Sequence, residues 1–349
     1  MSDNPSFVLN AIENVSYEER PIPDIADNDV LVKVHYLVHG RIGDFVVTNP
    51  MVLGHESAGI VHKVGSNVKN VSVGDRVAVE PGATCRTCEA CKSGRYELCP
   101  DIIFAATPPY DGTLCRYYRV PSDLAYPLPE GVSLEDGAMY RLSLWPVGVH
   151  SVANLGGFRS GQSIIVFGCG PVGLLCMAVA KALGASRIIA RLDFAKNYAA
   201  TDVYLPLRFN PGETKLLLGV TERGKNSLDL VIDASGAEVS IQTGFQVAKS
   251  GGIVVQVGMG TPDIPINMSM LYNKELNYKG SFRYGPGDYP LAIQLVAQGK
   301  IDLKPLVTHR FSFQDALVAF NTTKAGKSAD GKGVIKAIIS GPDISLEDN

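Results

Sequence analysis

In the first part of the chain, from Phe7 to about Ala125, apolar residues come in short, valine-rich runs closed by Gly, Asn or Pro. Asp29 to Val34, Ala58 to Val64 and Asp75 to Val79 are the clearest of them. This punctuation predicts the strands of a compact β-rich domain. From about Leu144 to Phe282 the pattern changes. Strand-like runs at Ile164–Phe167, Arg187–Ala190, Leu228–Asp233, Gly252–Val257 and Leu276–Phe282 alternate with stretches that suit helices. Alternation of this kind predicts a parallel sheet covered on both faces. The tail reads as a helix at Tyr289–Gln298, a β-like Val307–Phe313, a helix at Gln314–Thr322 and a closing strand at Gly333–Ser340. It is too short to stand alone and is expected to return to the first domain. The predicted layout is one discontinuous domain, 1–143 with 284–349, around a second at 144–283. No internal repeat interrupts this plan, and only Glu347–Asn349 reads as a loose end.

The second domain opens on Ile164–Gly173, Ile-Ile-Val-Phe-Gly-Cys-Gly-Pro-Val-Gly. A β-branched run enters a turn with Gly168, Gly170 and Gly173, and an apolar, helix-compatible segment, Leu174–Leu183, follows. Gly168 would permit the tight turn, Gly170 the approach of a pyrophosphate, and Gly173 close packing of helix on strand. Pro171 and Val172 complete the loop, and the free N–H groups of the helix end would face the phosphates. Glycine turns also end ordinary strands. The strand before this one and the helix after it favour a dinucleotide-binding βαβ unit, and the cofactor expected is NAD.

Composition narrows the partners. A length of 349 residues suits two domains, each with its own core. The net charge of −3 leaves no basic stripe for nucleic acid and no reason to expect an anionic membrane surface. The N-terminus has no basic and apolar leader pattern, and no apolar run reaches spanning length. A cytoplasmic location is expected. Seven cysteines are too few for a disulfide scaffold, and four of them crowd together, which in a reducing compartment favours a metal.

Those four are Cys85, Cys88, Cys91 and Cys99. Four thiolates form the ligand set of a closed tetrahedral zinc site, and two-residue spacers let one loop wrap the ion. Free surface thiols and an iron–sulfur site are the alternatives, although the bacterial iron–sulfur run places its fourth Cys closer. A closed site of this kind staples a lobe and leaves no coordination position for chemistry. A second candidate is His55-Glu56, which could give a nitrogen and an oxygen to an open zinc site. Taken alone, the pair also reads as a surface His beside a solvated Glu.

Together the motifs Gly54-His-Glu-Ser-Ala-Gly59, Gly74-Asp-Arg-Val77, the four-Cys loop, the Gly168–Gly173 turn and Gly280-Ser-Phe-Arg-Tyr284 resemble, in this order, the zinc-dependent medium-chain alcohol and polyol dehydrogenases. The resemblance covers nearly the whole chain. Phe104–Tyr118 and His39–Phe45 are similar to the sorbitol and xylitol dehydrogenase branch, nearest to the fungal xylitol dehydrogenases, also called D-xylulose reductases. The resemblance implies an α/β protein made of a GroES-like β-rich catalytic domain and a Rossmann doubly wound parallel sheet. It implies NAD-linked oxidation of a secondary alcohol, xylitol to D-xylulose, with a catalytic zinc, and a homo-oligomer, tetramer or dimer. His55 and Glu56 match the family's zinc-ligand positions. Tyr36, Arg283 and Tyr284 match positions near substrate and zinc-bound water, and Arg191 falls at the cofactor site.

Three departures fall on this machinery. Val34 runs straight into His35-Tyr36, so the family's cysteine zinc ligand has no counterpart, and no Cys precedes Cys85. Met139-Tyr-Arg-Leu-Ser143 carries no carboxylate where the family has a glutamate, and Arg141 adds a charge that would repel the ion. Ile189-Ala190 meets Arg191-Leu192-Asp193 directly, without the acid expected at the end of the second Rossmann strand. Asp193 has about the right count from Gly173, but its context matches the helix that follows. His35 or Cys115 would have to be recruited to fill the zinc shell.

Abrupt gaps beside close matches suggest a splice variant or a misassembled gene model. They leave a catalytically impaired family member, with its structural zinc and partial nucleotide binding, as the alternative to an active dehydrogenase. A zinc-independent reductase of the same superfamily fits less well with His55-Glu56 and the four cysteines. Tyr140 and Trp145 read as packing residues, His150 and His309 as structural histidines, and Cys169 and Cys176 as buried thiols.

Overall fold

The computed structural model describes residues 2–11, 14–38, 49–140, 144–190, 193–203, 219–222 and 224–345. The first segment is built from strands: β1 (Ser2–Ala11), β2 (Asn14–Pro21), β3 (Asp29–Val38), β4 (Met51–Val52), β5 (Glu56–Val64), β6 (Arg76–Val79), β7 (Gly82–Ala83), β8 (Ile103–Phe104), β9 (Tyr117–Pro121) and β10 (Ala125–Pro127). Two short helices, α1 (Glu89–Lys92) and α2 (Leu134–Tyr140), complete it. β-Branched side chains from neighbouring strands account for the pairing. Val30, Val32, Val61, Val77, Val79 and Val120 close into one buried cluster, where removal of apolar surface from water drives association.

The second segment alternates as its pattern predicts. α3 (Leu144–Val149) passes into a π-helical turn, His150–Leu155, and then come β11 (Ser163–Phe167), α4 (Pro171–Ala182), β12 (Arg187–Ala190), α5 (Asp193–Tyr198) and β13 (Asp202–Val203). β14 (Leu228–Asp233), α6 (Glu238–Val247), β15 (Ala248–Gln256), α7 (Met268–Asn273) and β16 (Asn277–Gly280) follow. All six strands pair in parallel, in the order β13-β12-β11-β14-β15-β16. This is the 3-2-1-4-5-6 order of a dinucleotide-binding sheet, whose topological switch point lies between its first and fourth strands, here β11 and β14. Burial on both faces explains the unbroken apolar runs Ile164–Phe167 and Leu230–Ile232.

The tail contributes α8 (Asp288–Ala297), β17 (Val307–Phe311), α9 (Ala316–Ala325) and β18 (Lys336–Ser340). β18 inserts between β3, antiparallel, and β17, parallel, in the sheet β10-β6-β5-β3-β18-β17, with β9 also paired to β3. Ile339 and the α9 residues Ala316 and Ala319 pack on Phe7, Val34 and Leu114 in a second buried cluster. The described chain therefore divides into two compact units, Met1–Ser143 with Gly285–Asn349, and Leu144–Tyr284. Among the described residues no helix is long and apolar enough to cross a membrane.

Candidate active site and zinc centre

The four cysteines meet. Their Sγ atoms all lie within 4.8 Å of one another, with Cys85 Sγ 3.6 Å from Cys99 Sγ and 4.0 Å from Cys91 Sγ. Four sulfurs bound to one zinc stand about 3.8 Å apart, given a Zn–S bond of about 2.3 Å. Backbone N–H groups point at the sulfurs: Cys88 N donates to Cys85 Sγ at 3.3 Å and Cys91 N to Cys88 Sγ at 3.5 Å. The N–H groups of Thr87 and Cys88 pull the Cys85 thiol down to about 6. The donor set fits a structural zinc.

Half-buried tyrosines tie this lobe to the main sheet of the first unit. Tyr126 donates its hydroxyl to Glu80 at 2.9 Å, Tyr96 of the zinc loop also bonds Glu80, and the Tyr126 ring stacks on Tyr289 of α8 at 5.1 Å. Burial, and then the Glu80 charge, hold both hydroxyls far above the usual tyrosine range, so they remain donors.

His55 and Glu56 are both buried, at 6% and 1% exposure. They are not the solvated surface pair that the sequence also allowed. His55 Nε2 stands 4.0 Å from Glu56 Oε1, and the His55 ring faces Phe104 at 5.9 Å. The other carboxylate oxygen, Glu56 Oε2, accepts from Lys336 Nζ at 3.0 Å, and this lysine is itself buried. Burial lowers the Lys336 pKa and the Glu56 charge opposes that shift. Sequence reasoning missed Lys336. Its signal was a lone lysine inside the apolar strand Val334-Ile-Lys-Ala-Ile-Ile339. Along the sheet, Arg310, Ile338, Val38 and Glu56 stand opposite one another on β17, β18, β3 and β5, and Arg310 grips Glu135 of α2 through two bonds of 2.8 and 2.6 Å.

Tyr36, on β3 opposite Ala58 and Ser340, is buried in the same unit. Arg283 and Tyr284 belong to the second unit. Arg283 has a positive φ of 57° and its guanidinium lies 4.6 Å over the Phe282 ring, while Tyr284 is buried. Cys115 packs in an apolar cluster with its thiol 3.2 Å from Tyr117 O, and His35 is half-buried on β3. Among the described residues the four-cysteine cluster is the only group of three or more potential metal ligands. An open zinc site takes three protein ligands, and the described residues bring together two. They do not fit a catalytic zinc. The segment His39–Phe45, Arg141 and Arg191 lie outside the described residues. A cavity of about 800 Å³ in the first unit, lined among others by Asn4, Gly112 and Cys115, includes none of Tyr36, His55 or Glu56.

The glycine turn is formed as expected. Gly168 has φ 93°, Gly170 caps α4, and Pro171 and Val172 begin the helix. A Cβ on Gly173 would lie 2.0 Å from Gly168 O, whereas one on Gly170 would meet open space, the side on which a phosphate could approach. Gly173→Ala is therefore expected to push α4 off β11, costing about 1–3 kcal/mol and abolishing dinucleotide binding. Urea unfolding and equilibrium binding would check it, and an unchanged affinity would refute the role of the contact. Cys176 is buried, but Cys169 is only half-buried, because the turn that carries it precedes the buried face of α4. His309 is bonded through both ring nitrogens, to Thr308 and Ser328 at 2.9 Å, and is structural.

Comparison with known proteins agrees with this architecture. Residues 26–130 match the model of the alcohol dehydrogenase GroES-like domain and residues 171–298 that of the zinc-binding dehydrogenase. The chain belongs to the zinc-binding alcohol dehydrogenase family. Among its relatives, D-xylulose reductase A of Aspergillus niger is 50% identical over 360 aligned positions, covering 98% of each chain. The alignment exceeds this chain's 349 residues, so at least eleven positions of it are gaps here, in keeping with the missing segments. Among solved structures, an Escherichia coli oxidoreductase/dehydrogenase of unknown specificity superposes with a TM-score of 0.87 at 29% identity, covering 97% of this chain and 99% of that one. The L-idonate 5-dehydrogenase of Escherichia coli gives 0.84 at 26%, covering 97% and 98%.

Proposed function

We propose that this family member is a polyol dehydrogenase that interconverts xylitol and D-xylulose with NAD. The observation that carries the reading is the 50% identity to a D-xylulose reductase along nearly the whole chain. The phosphate cradle at Gly168–Gly173 and the buried His55–Glu56–Lys336 group support it. The reaction moves a hydride from the carbinol carbon to the nicotinamide and releases a proton. In this reading Tyr36, Glu56, Arg283 and Tyr284 meet the substrate region, while Gly168, Gly170, Pro171, Val172, Gly173 and Arg191 serve the cofactor. Lys336 neutralises Glu56 beside His55. Because the described residues leave the catalytic zinc set incomplete, no step is assigned to an ion there. The zinc of the four cysteines is structural. A cytoplasmic homo-oligomer, dimer or tetramer, completes the proposal.

Nothing in the comparisons favours the impaired alternative over the enzyme. The test is NADH formation by the purified chain with xylitol, beside sorbitol and L-idonate as competitors. Turnover highest with xylitol is the expected result; bound NAD without turnover on any polyol would refute the proposal.

A further inference from the structure

A buried carboxylate stands at the carboxyl end of β14. A dinucleotide-binding sheet of this strand order consists of two mononucleotide-binding halves that meet at the switch point. The glycine turn after β11 belongs to the half that takes the adenosine, which leaves the nicotinamide to the other half. That half opens with the turn after β14, Ala234 to Ala237, which leads into α6. The two turns touch: Ala234 N donates to Phe167 O at 2.7 Å, and a Cβ on Gly168 would lie 2.7 Å from Ala234 O.

The carboxylate is that of Asp233, the last residue of β14, and it is 1% exposed. Its Oδ1 accepts from Ser235 Oγ at 2.7 Å, and its Oδ2 accepts from Gly236 N and from Gln256 Nε2, each at 2.8 Å. These three donors, all neutral, replace the water that burial removes. Gln256 ends β15, and its Nε2 also donates to Gly258 O at 2.6 Å. One carboxylate therefore holds the turns after both strands. The turns pack backbone on backbone, since a Cβ on Gly258 would stand 2.6 Å from Ser235 N. Both partners of Gln256 Nε2 are acceptors, which fixes the orientation of the amide. Its Oε1 is shielded from water and meets no donor among the described residues. A bound group with an N–H to give would satisfy it.

We infer that Asp233 is a positioning residue for the nicotinamide half of the dinucleotide, acting through Ser235, Gly236 and Gln256, which it holds in the shape that receives the ring. The inference rests on the dinucleotide-linked dehydrogenase reading and adds a residue to it. The test is equilibrium binding of NADH, and of ADP-ribose, which lacks the nicotinamide, to the full wild-type chain and to Asp233→Asn and Ser235→Ala. In Asp233→Asn an amide N–H₂ replaces one acceptor oxygen and confronts a donor. NADH should then bind about tenfold more weakly, while ADP-ribose changes by less than about twofold. Ser235→Ala removes one bond to the carboxylate and should weaken NADH alone, by about threefold. A loss that is merely structural would weaken both ligands together. Equal weakening of both, or unchanged NADH affinity in either folded variant, would overturn the inference. Should Asp233→Asn fail to fold by circular dichroism, Ser235→Ala decides by the same two outcomes. A wild type that binds both ligands keeps the dehydrogenase reading even when the variants refute the role of Asp233. Binding of neither ligand by the wild type would overturn both together.

Discussion

Cys88→Ser is expected to empty the zinc site and unfold the lobe from Thr84 to Pro100 while the main sheet of the first unit keeps its strands. The lobe has almost nothing else to hold it. Its secondary structure is one turn of α1 and a 3₁₀ turn at Tyr96–Leu98, with the two-residue pair β7–β8 at its base, and Leu98 is exposed. In isolated zinc peptides the ion supplies about 10–16 kcal/mol of apparent folding free energy, far more than these turns could replace. The Glu80–Tyr96–Tyr126 contacts and the exposed Arg86–Asp123 ion pair at 2.6 Å remain to tether it. Elemental analysis should fall from about one zinc per chain toward none. Trypsin should then cut at the exposed Arg86, Lys92 and Arg95 under conditions where the parent chain resists. A variant that holds its zinc and its resistance would refute the assignment. Two zincs in the parent chain would show instead that residues outside the described set complete the second site.

Lys336→Ala is expected to cost about 3–5 kcal/mol, the range for breaking a buried ion pair from one side. The penalty comes from the partner left behind. Glu56 is 1% exposed, so without the ammonium its carboxylate stays buried and loses that compensation. The double variant Glu56→Gln, Lys336→Met removes both charges and should recover most of the loss, because burying an ion pair gains little over burying neutral groups of similar size. Urea denaturation of Glu56→Gln, Lys336→Met and the double variant gives the coupling directly. Additive losses would show that the pair contributes nothing as a pair.

How much of this was legible in the sequence depended on whether the determining contacts were local. Arg187–Ala190 and Leu228–Asp233 were read to the residue, because a strand covered on both faces is a continuous apolar run with sharp ends. The helix after the glycine turn was read from Leu174, three residues late, since Pro171 and Gly173 look like turn residues although proline suits a first helical turn. The zinc loop was legible because all its ligands lie in one short segment. The partner of Glu56 was not, because it stands 280 positions away and only the insertion of β18 beside β3 brings it near. Cys169 was misjudged as buried, since the apolar text around it belongs to the strand before and the helix after it.

The position of β18 also sets an order on synthesis. Until residues 336–340 leave the ribosome, the Tyr36–Val38 end of β3 lacks its neighbour beyond β9 and β17 cannot join the sheet at all. The six parallel strands of the second unit are by then complete, so they can fold while the N-terminal segment waits with an open edge at Tyr36–Val38. Open edges of this kind recruit other chains. A ribosome stalled after Tyr284 should therefore release a product with a sound nucleotide-binding half and an aggregation-prone remainder.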